Sequence, residues 1–165
     1  MLGFVTITAT GAANRLLAET AATLEAGGLR LAGAVQQNLD RGADQPCDMD
    51  LRILGDGAVI RISQNLGMDA ESCRLDSGAL AQAVARAEAV LARGADLVIV
   101  NKFGKQECFG RGFRDFIAAA LAQSIPVLVS VPHEQLAGFH DFAEGLAEPV
   151  EEASLLDWCR ARTPA

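Results

Sequence analysis

The 165-residue chain carries 14 Lys plus Arg against 21 Asp plus Glu, a net charge of −7, and half of it is hydrophobic. That apolar fraction excludes a disordered chain, and the scattered Gly and Pro exclude collagen-like and coiled-coil ones. No apolar run approaches the ~18 residues of a membrane span, and the acidic balance argues against nucleic acid, whose phosphates draw on a basic surface.

The start, MLGFVTITATGAANR, lacks the basic opening and long apolar stretch of a signal peptide, so a cytoplasmic protein without a membrane partner is expected. Residues 3–9 are apolar and β-branched, which reads as a buried strand. From Asn14, the residues Leu16, Leu17, Ala21 and Leu24 share one helical face, and Gly27-Gly28 closes that helix. Residues 29–35 form a second apolar run after a tight turn. Strand, helix, turn and strand make a βαβ unit, which requires a right-handed crossover and a parallel pair.

The middle differs. Residues 38–50 read as a polar loop, and short β runs at 50–53 and 58–62 flank Gly55-Asp56-Gly57, a hairpin signal. Residues 63–75 read as irregular. Asp76 or Ser77 then caps an Ala-rich helix that reaches about Arg93 and ends at Gly94. Residues 95–100 form a clean buried strand, followed by a loop over 101–112 and a helix over 113–123. Residues 125–131 form another strand, with Pro126 tolerated only near its start. Helices over 134–146 and 155–162 complete the chain, and the segment from 134 carries seven acids against two arginines, a solvated face. These elements predict one domain over 1–165: a three-layer α/β fold with a mostly parallel sheet and an inserted β-hairpin.

In open parallel sheets ligands bind beyond the carboxyl ends of the strands. The segment Asn101-Lys102-Phe103-Gly104-Lys105-Gln106-Glu107 leaves such a strand and holds both lysines of the chain. Between 101 and 114, Lys102, Lys105, Arg111 and Arg114 face the single acid Glu107. Fixed cations there would attract an anion, and Gly104, Gly110 and Gly112 allow close backbone approach. The plain alternative is a solvated loop ion-paired to neighbouring acids. Thr10 and Gly11 lie in the first β–α turn, where a phosphate-cradling loop would be. The Gly-x-x-x-x-Gly-Lys-[Ser/Thr] pattern is missing, so neither its phosphate-binding lysine nor its metal-binding hydroxyl is supplied. Gln36, Asn38, Ser63 and Gln64 are polar residues at strand ends, suited to hydrogen bonding a ligand or to capping. Cys47 with Asp48, together with Cys73, could coordinate a soft or borderline metal; buried structural cysteines are the alternative. Cys108 sits inside the cationic loop as a candidate reactive thiol, and Cys159 reads as packing.

Residues 95–107 resemble the pattern of small, thermophile-type P-loop nucleoside-triphosphatases: a strand, Asp-Glu-x-Gly-x-x-Glu, a helix and another strand ending near His, here His133. Gly104 and Glu107 match, while Asn101 and Lys102 stand where that family places its metal-associated acid and the catalytic neighbour. Over nearly its full length the chain also resembles a bacterial family of unknown function, DUF2478. That resemblance rests on Val35-Gln36-x-Asn38, Cys47-Asp48-Met49, Ile62-Ser63-Gln64, Cys73-Arg74-Leu75-Asp76 and Asn101 to Glu107 with Gly112-Phe113-Arg114. The two resemblances imply a P-loop-NTPase-like fold and an association with molybdenum transport or molybdoenzyme genes. The resulting expectation is a non-hydrolysing binding protein for a small oxyanion or phosphate-bearing ligand, molybdate or a nucleotide among them. The alternatives are a divergent triphosphatase in which Glu107 orients water, and an adaptor docking a protein partner in metal-cofactor assembly. Self-association is left open.

Overall fold

The computed structural model describes residues 1–6, 11–39, 48–64 and 74–164. Among them, seven strands form one sheet: β1 (Leu2–Val5), β2 (Leu31–Leu39), β3 (Asp48–Ile53), β4 (Val59–Arg61), β7 (Leu97–Val100), β8 (Val127–Ser130) and β9 (Ala147–Pro149). A separate two-residue pair joins β5 (Ser63–Gln64) to β6 (Arg74–Leu75). The order across the main sheet is β4-β3-β2-β7-β8-β1-β9. The five strands from β2 to β9 run parallel, and the β3–β4 hairpin continues the sheet antiparallel beyond β2.

The helices are α1 (Ala12–Ala26), α2 (Ser77–Ala92), α3 (Lys105–Cys108), α4 (Arg114–Ala122), α5 (Leu136–Ala143) and α6 (Leu155–Ala161). Alternation along each strand decides which layer each side chain enters. Leu31, Val35, Leu97 and Ile99 point to the face covered by α1 and α6, where they meet Leu17, Leu24 and Trp158. Ala32, Ala34, Val98 and Val100 point to the other face, against Leu80, Ala87, Phe116 and Phe139 of α2, α4 and α5. The sheet is therefore sandwiched, as the apolar strands flanked by amphipathic helices predict. Gly33 lets β2 and β7 approach: its φ is +112°, and a Cβ there would collide with the Ile99 carbonyl.

Four local expectations change. The predicted loop at 38–50 gives way at both ends, because β2 extends to residue 39 by pairing with β3 from Ala34–Ile53 to Leu39–Asp48, while 40–47 lie outside the described residues. The irregular reading of 63–75 gives way at its ends to the β5–β6 pair. The loop over 101–112 contains the single turn α3. Finally, β9 follows α5 and pairs with β1, its Pro149 lying on the sheet edge where no ladder N–H is needed. Asp76 supplies the predicted cap of α2, its carboxylate accepting from the Ala79 N–H at 3.0 Å.

Candidate functional site

Strand β7 ends in Asn101, which is 3% exposed and sits between α1 and β2. Its Oδ1 accepts from the Gln36 backbone N–H at 3.0 Å, and its Nδ2 donates to Asn14 Oδ1 at 2.8 Å. Gln36 Oε1 lies 3.5 Å from the same Nδ2, and the Ser130 hydroxyl donates to the Asn101 carbonyl. A neutral amide therefore ties three elements together where the resemblance to the triphosphatases leads to an acid. Asn14 was not singled out by its local sequence, because its role is a contact with a residue 87 positions away.

The segment beyond Asn101 is a rigid frame. Phe103 is fully buried between Phe139 and Phe142, with ring centroids 5.2 Å away in each case. Its N–H donates to the Ser130 carbonyl at 2.8 Å. Burying Phe103 and Gly104 leaves Lys102 and Lys105 exposed on either side. Glu107 clasps the loop from within. It is 5% exposed, and its Oε1 and Oε2 accept from the N–H groups of Gly104, at 2.8 Å, and Phe113, at 3.1 Å. Gly112, at φ +60°, leaves room for that carboxylate, since a Cβ there would collide with Oε2. Burial pushes the Glu107 carboxyl above its ordinary range, against the opposing pull of these N–H groups and of the Lys102 charge.

Lys102, Gly104 and Lys105 line a cleft of about 340 Å³ with Asn101, Gln36, Gln106 and Glu107. Its other wall is apolar and comes from the insertion and its neighbours: Met49 and Leu51 on β3, Ile62, Leu75 on β6, Leu80 on α2, and Phe113. The cleft lies at the carboxyl end of β7, where the α/β rule places ligands, and runs alongside Ala34 and Gln36 of β2. The apolar wall escaped sequence reasoning because it is assembled from residues spread over 49–113, each an ordinary core position by itself.

The structure divides the predicted site residues. Gln36, Asn101, Lys102, Gly104 and Lys105 come together in the cleft. Arg111 instead lines a second groove with Gly112, Ser77 and Glu88. Arg114 is engaged in packing: its guanidinium lies 5.0 Å from the Phe142 ring centroid and donates to the Glu107 carbonyl at 3.1 Å. The Ser63 hydroxyl accepts from the Met49 N–H at 3.0 Å, and Gln64 donates to the Leu75 carbonyl at 3.2 Å, so both brace the hairpin. Gly11 caps α1 in the left-handed region at φ 76° and does not line the cleft. Asn38 pairs through its backbone with Met49; its side chain, like Thr10, Cys47 and Cys73, lies outside the described residues.

Asp48 is ion-paired with Arg61 at 3.3 Å, the same guanidinium bonding Asp50 at 2.9 Å. Among the described residues no three His, Cys, Asp or Glu side chains gather as a metal site. Cys108 is a free, half-buried thiol. Its Sγ lies 3.2 Å from Gln135 Oε1, and burial, then the charge of Glu107, pushes its pKa up, the direction that reduces thiolate. Cys159 is buried in the core as expected, its pKa pushed up to about 12 by burial. No helix among the described residues is long and apolar enough to cross a membrane.

Five parallel strands between two helical layers, with a cleft at the carboxyl end of β7 that is polar on one wall and apolar on the other, make this a three-layer α/β fold. Its fold is similar to the crystal structure of THEP1 from the hyperthermophile Aquifex aeolicus, with a TM-score of 0.69 over 98% of this chain and 99% of that one at 15% identity. The chain belongs to the DUF2478 family, described as proteins of unknown function, whose profile matches residues 2–158. It is also 40% identical over 133 residues to the molybdenum import ATP-binding protein ModC 2 of Bradyrhizobium diazoefficiens. That match covers 81% of this chain but 15% of the relative's length.

Proposed function

We propose that this protein is a non-hydrolysing binding protein for a small oxyanion or phosphate-bearing ligand, acting in molybdenum uptake or molybdenum-cofactor metabolism. The observation that carries the reading is the convergence of both lysines of the chain on one cleft. The charged residues lining it, among those described, are Lys102, Lys105 and Glu107, a local excess of positive charge in a protein of net charge −7. Each oxygen of Glu107 accepts one backbone N–H from its own loop, whereas both lysines are exposed. The molybdenum connection comes from the name of the 40%-identical relative.

Two features favour binding over hydrolysis. A hard cation such as Mg²⁺ takes carboxylate oxygens, and the rim of β7 offers the Asn101 amide, already bonded to Asn14 and Gln36. Glu107, the residue that a divergent triphosphatase would use to orient water, is turned into its own loop. The ATP-binding name of the relative keeps nucleotides among the candidate ligands.

Calorimetric titration with molybdate, tungstate, sulfate and phosphate tests the reading, with Lys102→Ala in parallel. Lys102 is exposed, so its removal leaves the fold intact while weakening binding on the order of tenfold, the scale of one charge-assisted contact. Equal affinity in the two proteins sinks the proposal. Phosphate release from ATP or GTP with Mg²⁺ should stay at the level of a no-protein control.

A further inference from the structure

The cleft is too large and too one-sidedly apolar for a bare tetrahedral anion. Five heavy atoms displace on the order of three waters, ~90 Å³ at ~30 Å³ each, against a volume of about 340 Å³. That volume falls at the lower end of clefts that enclose whole organic ligands. Its two walls also differ in kind. Lys102, Lys105 and Gln106 stand on the loop side, and Met49, Leu51, Ile62, Leu75, Leu80 and Phe113 on the other. Met49 and Leu75 are only half-buried, so their apolar surface is open to an occupant. A thioether and a phenyl ring on one wall suit an aromatic face or edge.

We infer that the ligand is a two-part molecule, an aromatic ring carrying a phosphate or similar anionic group. The ring lies against Met49, Leu75 and Phe113, and the anion meets Lys102 and Lys105. The assignment rests on the anion-binding reading above and adds the ring to it. It also gives the inserted hairpin and the β5–β6 pair a role, since β3 and β6 supply the wall that selects the ring.

The test compares inorganic phosphate, 2-naphthyl phosphate and hexyl phosphate by calorimetry on the full chain, with Lys102→Ala, Met49→Asn and Leu75→Asn. Naphthyl phosphate should bind at least roughly tenfold more tightly than inorganic phosphate, the return on ~60 Å² of apolar surface buried. Hexyl phosphate should gain less, because its chain loses rotamer freedom on binding. Met49→Asn should erase the gain while inorganic phosphate binds unchanged. Leu75→Asn provides the same readout from another strand if the first variant fails to fold. An equal gain for adenosine monophosphate points to nucleotides as the source, and a gain for naphthyl phosphate alone to a ring bearing phosphate directly; both support the two-part ligand. Equal affinities for the three phosphates, all lost in Lys102→Ala, overturn the ring and leave the anion site standing. A gain that survives both Asn variants overturns its placement. Loss of all anion binding removes the inference together with the reading beneath it.

Discussion

Glu107 is a carboxylate spent on backbone. Replacing it with Gln keeps its size but leaves one oxygen to accept where two did, so the N–H of Gly104 or Phe113 is stranded in a buried place. We expect Glu107→Gln to lose about 1–3 kcal/mol in urea unfolding, the penalty for an orphaned buried donor. The pH dependence has a definite sign. Burial raises the folded-state pKa above the ordinary 4.5, so the folded chain holds this proton more tightly than the unfolded one. The contribution of Glu107 is therefore largest below 4.5 and erodes as pH climbs through the raised value. The stability gap between wild type and Glu107→Gln should narrow from acid to neutral pH; a gap that widens contradicts the raised value. Asn101→Leu removes the acceptor for Gln36 N–H and the donor for Asn14. About 2 kcal/mol of stability should go with it, read from the shift in the same urea midpoint.

At the level of elements, the lysine-bearing turn is held by Phe103, whose ring packs against α5 and the residue before its end. Phe103→Ala should cost ~3–5 kcal/mol and weaken anion binding at the same time, although neither lysine is touched. Unchanged affinity in a folded Phe103→Ala protein would mean that the ammonium groups need no frame. Here sequence reasoning reached a clear limit. The strand at 97–100, the Asp76 cap and the Gly55–Gly57 hairpin were legible, since each depends on neighbours a few residues away. Strand β9 was not: three residues that include Glu148 and Pro149 carry no β signal, and only pairing with β1 makes them a strand. The cationic segment was legible as a run of charge, but not its division. Lys102 and Lys105 face the cleft, while Arg114 stacks on Phe142, and nothing in a sequence of alternating cations tells which will find an aromatic ring. The apolar wall stayed hidden because it exists only after β3, β6 and α2 converge.

For the molecule as a whole, charge and core make separate demands. The acidic surface repels free anions, and a small cationic cleft must overcome that field over short range. Anion affinity should fall between 50 and 300 mM salt as the Debye length shrinks below ~10 Å, and salt-independent titrations would place the ligand away from Lys102 and Lys105. The C-terminal segment, read from its acids as a solvated face, is also part of the core. Val150, Leu155, Trp158 and Cys159 are buried with Leu17 and Leu128, and Trp158 packs over Gly3 so closely that no Cβ fits there. Four buried side chains at ~1.5–3 kcal/mol each approach the whole stability of a domain. A chain ending at Leu146 should therefore show an unfolded far-ultraviolet dichroism spectrum at 25 °C.

The amide of Asn101 gives the first helix and the second strand a common crossbar. Because Asn14 and the Gln36 backbone hang from opposite ends of one short side chain, α1 cannot slide along the sheet without dragging the cleft's rim or letting go of it. The position of Asn14 on α1 and that of the Gln36 backbone beside the cleft are thus set by a single part only one residue long.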